Sequence, residues 1–171
     1  MKTPRMKQYI KSTLLLQCGV LLLVLTGLTQ SCSVPDGLVT EDFKAIENGS
    51  WNWKDGKKFT FTIDDTTCFY AISTGLRITG KYAYSNIWMI YTIECSGWNQ
   101  KEQFSIEIAD QTGSWLGVGM SNLIAYEKPI IPKIKLKAGV YQITIVQNMR
   151  EESLLGIQDV GVKIQKGPLI L

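Results

Sequence analysis

Apolar and polar residues alternate along much of the chain, with the two-residue period of a β-strand that has one buried face. Residues 58–64 show the pattern well, because Phe59, Phe61 and Ile63 are separated by threonines and preceded by a lysine. The same period predicts strands at residues 70–79, 104–110, 133–147 (with a turn at 138–139) and 160–165. Residues 86–94 are apolar at both sets of alternating positions, which predicts a central strand covered on both faces.

Turn signals separate these strands, and no stretch carries a sustained helical period. They include Asp55-Gly56, Gly80 and Gly97. Strands at this spacing predict an all-β fold, an antiparallel β-sandwich or jelly-roll-like single domain over residues 41–171. Residues 148–156 fit either a single helical turn or a hairpin loop. A further expectation is that an edge strand presents a solvated face made of Lys133, Lys135 and Lys137.

The first 31 residues have the order of a secretory signal peptide: a basic start, an apolar run and a small-residue cleavage zone. The apolar run is shorter than the roughly 20 residues of a membrane span, and Gln17 interrupts it. The end of the segment, "LTQS" before Cys32, is similar to a bacterial lipobox. We therefore predict cleavage after residue 31, acylation of Cys32 as an anchor in a lipid bilayer, and a short tether over residues 32–40. Ordinary secretory cleavage, with Cys32 as a spare thiol, is the alternative.

Charge changes the picture once the signal segment is set aside. The chain has a formal net charge of +3, from 18 basic and 15 acidic residues. Four basic residues and no acidic ones lie in residues 1–31, so 14 basic and 15 acidic residues remain. No basic patch is left that would argue for nucleic acid or anionic lipid as a partner.

Few side chains are suited to catalysis. The sequence contains no histidine, which removes the usual general base and the commonest metal ligand, and we expect neither a metal nor a cofactor. Asp64-Asp65 fits a turn better than a calcium site. A glycosidase pair drawn from Glu94, Glu107 and Asp110 would require a separation that the sequence does not define.

Two cysteines remain in the predicted domain. Cys68 and Cys95 could form a disulfide in an exported protein, or could be small buried hydrophobic residues. The spacing leaves both alternatives open, because a disulfide depends on geometry that the sequence does not show.

The tryptophans suggest a possible binding surface. We expect Trp88 in the core, since it lies in the apolar strand. Trp51 and Trp53 are two residues apart, which predicts one shared strand face, and Trp98 follows Gly97 in a predicted hairpin turn. Trp51, Trp53 and Trp98 could therefore face a ligand and stack on sugar rings, although core packing is the default for each.

Residues 108–119, "IADQTGSWLGVG", combine an acidic turn with three glycines and a tryptophan. A P-loop is excluded because no lysine follows the glycines, and a dinucleotide fingerprint is excluded because no third glycine follows Gly117 and Gly119 at the required spacing. The segment is predicted to bend from a strand into a loop that Trp115 holds by packing.

Four stretches follow one another along the chain: "SNIWMIYTIE", this segment, "AGVYQITIVQNMR" and "LLGIQDVGVKI". In their order and spacing they resemble the gliding-motility lipoprotein GldH family of Bacteroidetes. The resemblance extends from residue 43 to residue 166. Its most specific positions are Asp110, Gly113, Ser114, Trp115, Leu116, Gly117 and Gly119.

The resemblance implies a non-enzymatic lipoprotein that works with gliding and secretion-machinery proteins of the cell envelope. Ser33 after the cysteine, and the lack of an acid-rich run in the tether, favour a periplasm-facing location at the outer membrane. A glycan-binding module is the alternative function, and a hydrolase is a distant third.

Overall fold

The computed structural model describes residues 37–120 and 122–167, with the side chain of Met120 left out. The predicted signal peptide and Cys32 lie outside these residues. The described chain contains β1 (Leu38–Ala45), β2 (Ser50–Asn52), β3 (Lys57–Ile63), β4 (Tyr70–Thr79), β5 (Asn86–Cys95), β6 (Trp98–Glu107), β7 (Val118–Met120), β8 (Leu123–Ile134), β9 (Gly139–Gln147), β10 (Ser153–Leu155) and β11 (Ile157–Lys166). A short 3₁₀ helix spans Glu47–Gly49, and no helix in this part of the chain is long and apolar enough to cross a membrane.

The strands form two main antiparallel sheets. One has five strands in the order β1-β11-β4-β8-β7, and the other has four in the order β3-β9-β5-β6. β10 and β2 form a separate two-stranded ribbon. Eight long strands remain when the short strands β2, β7 and β10 are left out. If these eight are numbered in chain order, the five-stranded sheet has the order 1-8-3-6 and the four-stranded sheet has the order 2-7-4-5. This is the strand order of a jelly roll, so the predicted all-β sandwich is confirmed.

The core lies between the two sheets and consists of the inward set of alternating residues. Phe59, Phe61 and Ile63 of β3 are buried, as their period predicts. The five-stranded sheet adds Leu76 and Ile78 from β4 and a row of aliphatic residues from β11. Burial of these apolar side chains is the main force that holds the two sheets together.

Several predicted strands are confirmed and others differ in extent. β3, β4, β9 and β11 lie where the alternation places them. β6 begins at Trp98, six residues before the predicted start, and Trp98 is therefore in a strand and not in the turn. β1 begins at Leu38, inside the predicted tether. β8 ends at Ile134, so the expected edge strand with three lysines is wrong: Lys135 and Lys137 lie in the loop that follows.

Residues 148–156 form neither a helical turn nor a simple hairpin loop. Ser153–Leu155 is β10, which pairs with β2 through Leu154 and Trp51. The segment thus contains a short strand whose partner lies about a hundred residues earlier in the chain, a contact that no local pattern indicates.

Candidate functional site

The segment that carries the family resemblance begins with a turn organised by one carboxylate. Oδ1 of Asp110 accepts hydrogen bonds from the amide and the hydroxyl of Thr112, at 2.8 Å and 2.7 Å, and from the Ser114 amide at 2.9 Å. The Thr112 hydroxyl and these amides hold the pKa of Asp110 below its usual value. The turn closes through Gly113, whose φ of 84° lies in the left-handed region that glycine adopts at no steric cost.

The second half of the segment is held against β8. Gly119 pairs with Ile124 in the ladder between β7 and β8, and a Cβ atom on Gly119 would collide with the Leu123 carbonyl oxygen. The Leu116 amide and the Tyr126 hydroxyl both donate to the Ile108 carbonyl, at 3.0 Å and 2.8 Å. Contacts within the chain therefore define the position of the loop backbone.

The loop presents three apolar side chains to solvent: Trp115, Leu116 and Val118, which we call the Trp115 patch. Their exposed fractions are 40%, 52% and 83%. Hydrogen bonds of Asp110 and Tyr126 and the close glycine contacts hold the bend. Trp115 leaves part of its side chain exposed, and its role in holding the bend by packing stays a prediction. Sequence reasoning could not distinguish these roles, because an apolar residue in a loop is equally compatible with packing and with exposure.

A cavity of about 510 Å³ lies beside the patch. Leu116 and Val118 line it on one side, the end of β6 from Ser105 to Glu107 on another, and β8 from Ala125 to Lys128 on a third. β7 is the last strand of the five-stranded sheet and β6 the last of the four-stranded sheet, so this cavity lies where both sheets end.

The candidate acidic residues are not brought together. Glu94 lines a cavity of about 450 Å³ beside Trp98, whereas Glu107 lines the cavity beside the Trp115 patch. Asp110 uses Oδ1 to form its turn. No group of three or more acidic or cysteine side chains in residues 37–120 and 122–167 is close enough to hold a metal ion.

Asp65 forms a second turn of the same kind as Asp110, as the turn interpretation predicts. Its Oδ1 accepts from the amide and hydroxyl of Thr67, at 2.9 Å and 2.6 Å. Its Oδ2 forms an ion pair with Nζ of Lys166 at 3.2 Å. The hydroxyl of Thr67, its amide and the lysine hold the pKa of Asp65 well below its usual range.

Both candidate disulfide residues are free thiols, so the disulfide alternative is wrong in this structure. Sγ of Cys68 lies 3.7 Å from Oδ2 of Asp65. Cys95 is the last residue of β5 and lines the cavities beside Trp98. Both are half-buried and pack against the core, as the alternative interpretation of the two cysteines as small hydrophobic residues predicts.

The candidate aromatic residues separate into different environments. Trp51 is fully buried and donates from Nε1 to the Asp55 carbonyl at 2.8 Å, so it cannot face a ligand. Trp53 follows the end of β2 and is 48% exposed. The prediction that Trp51 and Trp53 share one face of a strand is therefore wrong. Trp98 is 42% exposed, and its ring meets Tyr141 edge-on at 6.3 Å.

The structure also corrects the expectation for Trp88. It is 40% exposed and lies on the solvent side of β5. β5 is a central strand of its sheet, as predicted, but only one of its faces is covered by the second sheet. Sequence reasoning therefore missed Trp88 as a surface residue, and no local signal would have revealed it.

Comparison with known proteins agrees with the resemblance carried by the motif loop. A sequence profile described as GldH lipoprotein matches residues 38–164. The chain is 28% identical over 136 residues to "Gliding motility lipoprotein GldH" of Flavobacterium johnsoniae, which covers 75% of this chain and 84% of the relative. It is 27% identical over 139 residues to "Gliding motility lipoprotein GldH homolog" of Christiangramia forsetii, which covers 75% and 83%.

Similarity to solved structures is weak. The crystal structure of the VP2 subviral particle of infectious bursal disease virus is 15% identical, with a TM-score of 0.30 over 80% of this chain. The match spans 36% of the viral chain. The family assignment therefore rests on the sequence match, which covers most of the described domain. The chain belongs to the GldH lipoprotein family.

Proposed function

We propose that the protein is an outer-membrane lipoprotein, anchored by acylated Cys32 and facing the periplasm, that acts by protein–protein contact within the gliding-motility or secretion machinery. The names of two relatives, both given as gliding-motility lipoproteins or homologues, support the setting. The lipobox-like "LTQS" before Cys32 supports the anchor, and Ser33 supports the outer membrane. No catalytic step is part of the proposal.

The observation that carries the proposal is the Trp115 patch on a loop of fixed shape. Exposed apolar side chains contribute binding energy when a partner removes them from water, at about 25 cal/mol per Å² of apolar surface. A loop that is already ordered loses little conformational entropy on binding, so more of this energy is available for affinity. Tryptophan is among the residues most often found at the energetic centre of an interface.

The proposed partner is another protein of the envelope that covers the patch and enters the adjacent cavity of about 510 Å³. Glu107, Glu127 and Lys128 line the same cavity as Leu116 and Val118. An apolar centre with a charged rim is the usual composition of a protein–protein interface.

Photo-crosslinking in cells tests the contact. A photoreactive amino acid at residue 116 should capture a specific envelope protein, whereas the same group at Leu155, which is 63% exposed and lies on β10, should not. Leu116→Ser combined with Val118→Ser should reduce co-purification of the captured protein about tenfold, because central interface residues contribute more than about 1 kcal/mol each and about 1.4 kcal/mol is a tenfold change in Kd. Leu155→Ser should leave it unchanged. Equal recovery of the captured protein with both variants would contradict the proposal.

Fractionation tests the anchor separately. Cys32→Ser should move the protein from the membrane fraction to the soluble fraction, because the acyl chains supply about 0.8 kcal/mol per buried methylene group. Unchanged fractionation would refute the anchor without bearing on the Trp115 patch.

A further inference from the structure

The solvent side of the four-stranded sheet carries apolar residues at its centre. Trp88 and Ile90 of β5 point to this side, and Ile90 lies beside Val146 of β9. Trp88 is exposed, and Ile90 and Val146 are half-buried. An exposed tryptophan beside aliphatic residues on one face of a sheet gives a surface on which a planar or ring-shaped ligand can stack.

A cavity of about 360 Å³ lies at the Trp88 end of this face, and we call it the Trp88 cavity. Tyr84, Trp88 and Met149 form its apolar wall. Its polar side chains are Gln103, Asn148, Arg150 and Glu151. The volume falls within the range of about 300–1,000 Å³ that is usual for small-ligand sites.

Contacts within the chain hold the walls of this cavity. The Asn148 amide donates to the Trp88 carbonyl at 2.8 Å, and the side chain of Asn148 donates to Oε1 of Gln103 at 3.2 Å. The Tyr84 ring meets the buried Tyr82 ring edge-on at 5.8 Å. The Tyr84 ring and the backbone of Trp88 are therefore held in position, which lowers the entropic cost of binding.

Gln147 orders the loop that forms the remaining wall. This side chain is only 2% exposed, and its Nε2 donates to the Glu151 carbonyl at 2.9 Å. Its Oε1 accepts from the Met149 amide at 2.8 Å. A buried amide that satisfies the backbone of residues 149–151 places Met149, Arg150 and Glu151 around the cavity.

The side chains of the cavity select one ligand chemistry. Arg150 and Glu151 carry opposite charges, so the cavity has no net charge with which to attract an ionic ligand. The amides of Gln103 and Asn148 supply donors and acceptors that match hydroxyl groups. The exposed rings of Tyr84 and Trp88 match the C–H faces of a sugar ring. We infer that the Trp88 cavity binds a short uncharged oligosaccharide.

Trp98 is a weaker candidate for the same chemistry. Its neighbouring ring, Tyr141, is only 3% exposed, so only one aromatic side chain is accessible there. At the Trp88 cavity both rings are accessible, with 38% of Tyr84 and 40% of Trp88 exposed. The glycan site therefore lies at none of the three tryptophans that the sequence suggests. It is also independent of protein contact at the Trp115 patch.

A glycan array probed with the full-length protein tests the inference. The protein is purified in a detergent without a sugar headgroup, because an alkyl glycoside would occupy the site. An array of neutral and anionic bacterial, plant and animal oligosaccharides should yield at least one neutral hit. Titration calorimetry then gives the Kd of the strongest hit, and Trp88→Ala should weaken it about tenfold or more, equivalent to about 1.4 kcal/mol.

Two further variants separate binding from folding. Gln103→Ala changes an exposed side chain and should also weaken the hit. Trp53→Ala removes an exposed tryptophan outside the cavity and should leave the Kd unchanged. An array without neutral hits would overturn the inference, as would a hit whose Kd is insensitive to both Trp88→Ala and Gln103→Ala. Capture of a protein by a photoreactive group at residue 88, with a silent array, would assign the face to protein contact instead.

Discussion

Gly117→Ala tests whether the motif loop depends on its close approach to β8. A Cβ atom at residue 117 would lie 2.6 Å from Cγ2 of Ile124, 2.6 Å from Cζ of Tyr126 and 2.7 Å from the carbonyl oxygen of Ala125. Ala125 is in a strand paired on both sides, and the Tyr126 hydroxyl is hydrogen-bonded to Ile108, so neither can move easily. The loop itself has to shift away from β8.

The expected cost follows from these contacts. Overpacking of a well-packed position costs about 1–3 kcal/mol. Alanine also restricts the unfolded chain, which offsets about 0.4–1 kcal/mol. We therefore expect Gly117→Ala to lower the free energy of unfolding by about 1–2 kcal/mol. The same shift displaces Leu116 and Val118, so capture of the partner at residue 116 should also fall.

Gly80→Ala is the matched control. Gly80 is an exposed turn residue with no heavy atom within 4 Å of its Cβ position, and its φ does not lie in the left-handed region. This variant should be as stable as the wild type or up to about 1 kcal/mol more stable.

Urea unfolding of the full-length protein, followed by tryptophan fluorescence, measures both variants. The midpoint should fall for Gly117→Ala at an unchanged m-value, because the surface exposed on unfolding is the same. If Gly117→Ala and Gly80→Ala have equal midpoints, the loop does not depend on the close contact, and the account of a loop positioned by β8 is wrong.

Three further variants test other parts of the structure. The pKa of Asp110 is lowered in the folded protein, so its turn is fully stabilised above the unfolded-state pKa of about 3.9 and loses this stabilisation as the pH falls through the folded-state pKa. The protection factor of the Ser114 amide should persist at pH 4, and Asp110→Ala should abolish it; retention in that variant would refute the role of the carboxylate. Burial raises the pKa of Asp159, and the Arg77 guanidinium, whose Nε lies 2.9 Å from Oδ1 of Asp159, offsets this rise only in part. The contribution of Asp159 to stability is therefore present below the unfolded-state pKa of about 3.9 and is lost as the pH rises through the raised folded-state pKa. Asp159→Asn should therefore unfold at higher urea than the wild type at pH 7 but not at pH 3, and equal differences at both would count against this reasoning. The Phe43 ring covers Gly161, where a Cβ atom would lie 2.5 Å from Cδ1. Gly161→Ala should cost about 1–3 kcal/mol in the wild type and nothing in a Phe43→Ala background, whereas additive costs would contradict the contact.

The alternation of polar and apolar residues along the chain was sufficient to locate strands that have one solvent-exposed face. β3 and β9 have a regular polar and apolar period, and their inward residues are the ones that the period selects. The period also located β4, but that strand is buried on both faces from Tyr70 to Leu76, which its period did not indicate. β8 escaped prediction because Pro129 and Pro132 lie within it, and proline usually argues against a strand. It is tolerated there because β7 pairs only with Leu123 to Ala125, which leaves one side of the rest of β8 without a ladder partner among the described strands.

The sequence predicted where the candidate site lies but not which contacts hold its loop in place. The acid-glycine spacing from Asp110 to Gly113 indicates a turn, and the turn is there. The roles of Gly117 and Gly119 depend on contacts with Ile124 and Leu123, which belong to a strand that the local pattern did not predict.

The sequence by itself determined the all-β class, the inward residues of most long strands and the family. These properties depend on the period of the chain and on motifs that are local. Only the tertiary structure decided which faces are covered, because coverage depends on which sheets and strands lie opposite one another. Trp51 is buried because its short strand lies beside β10, and Trp88 is exposed because no second layer of described residues covers that side of β5. One tryptophan is thus buried and the other exposed because of which strands lie opposite them, and no local sequence pattern shows this.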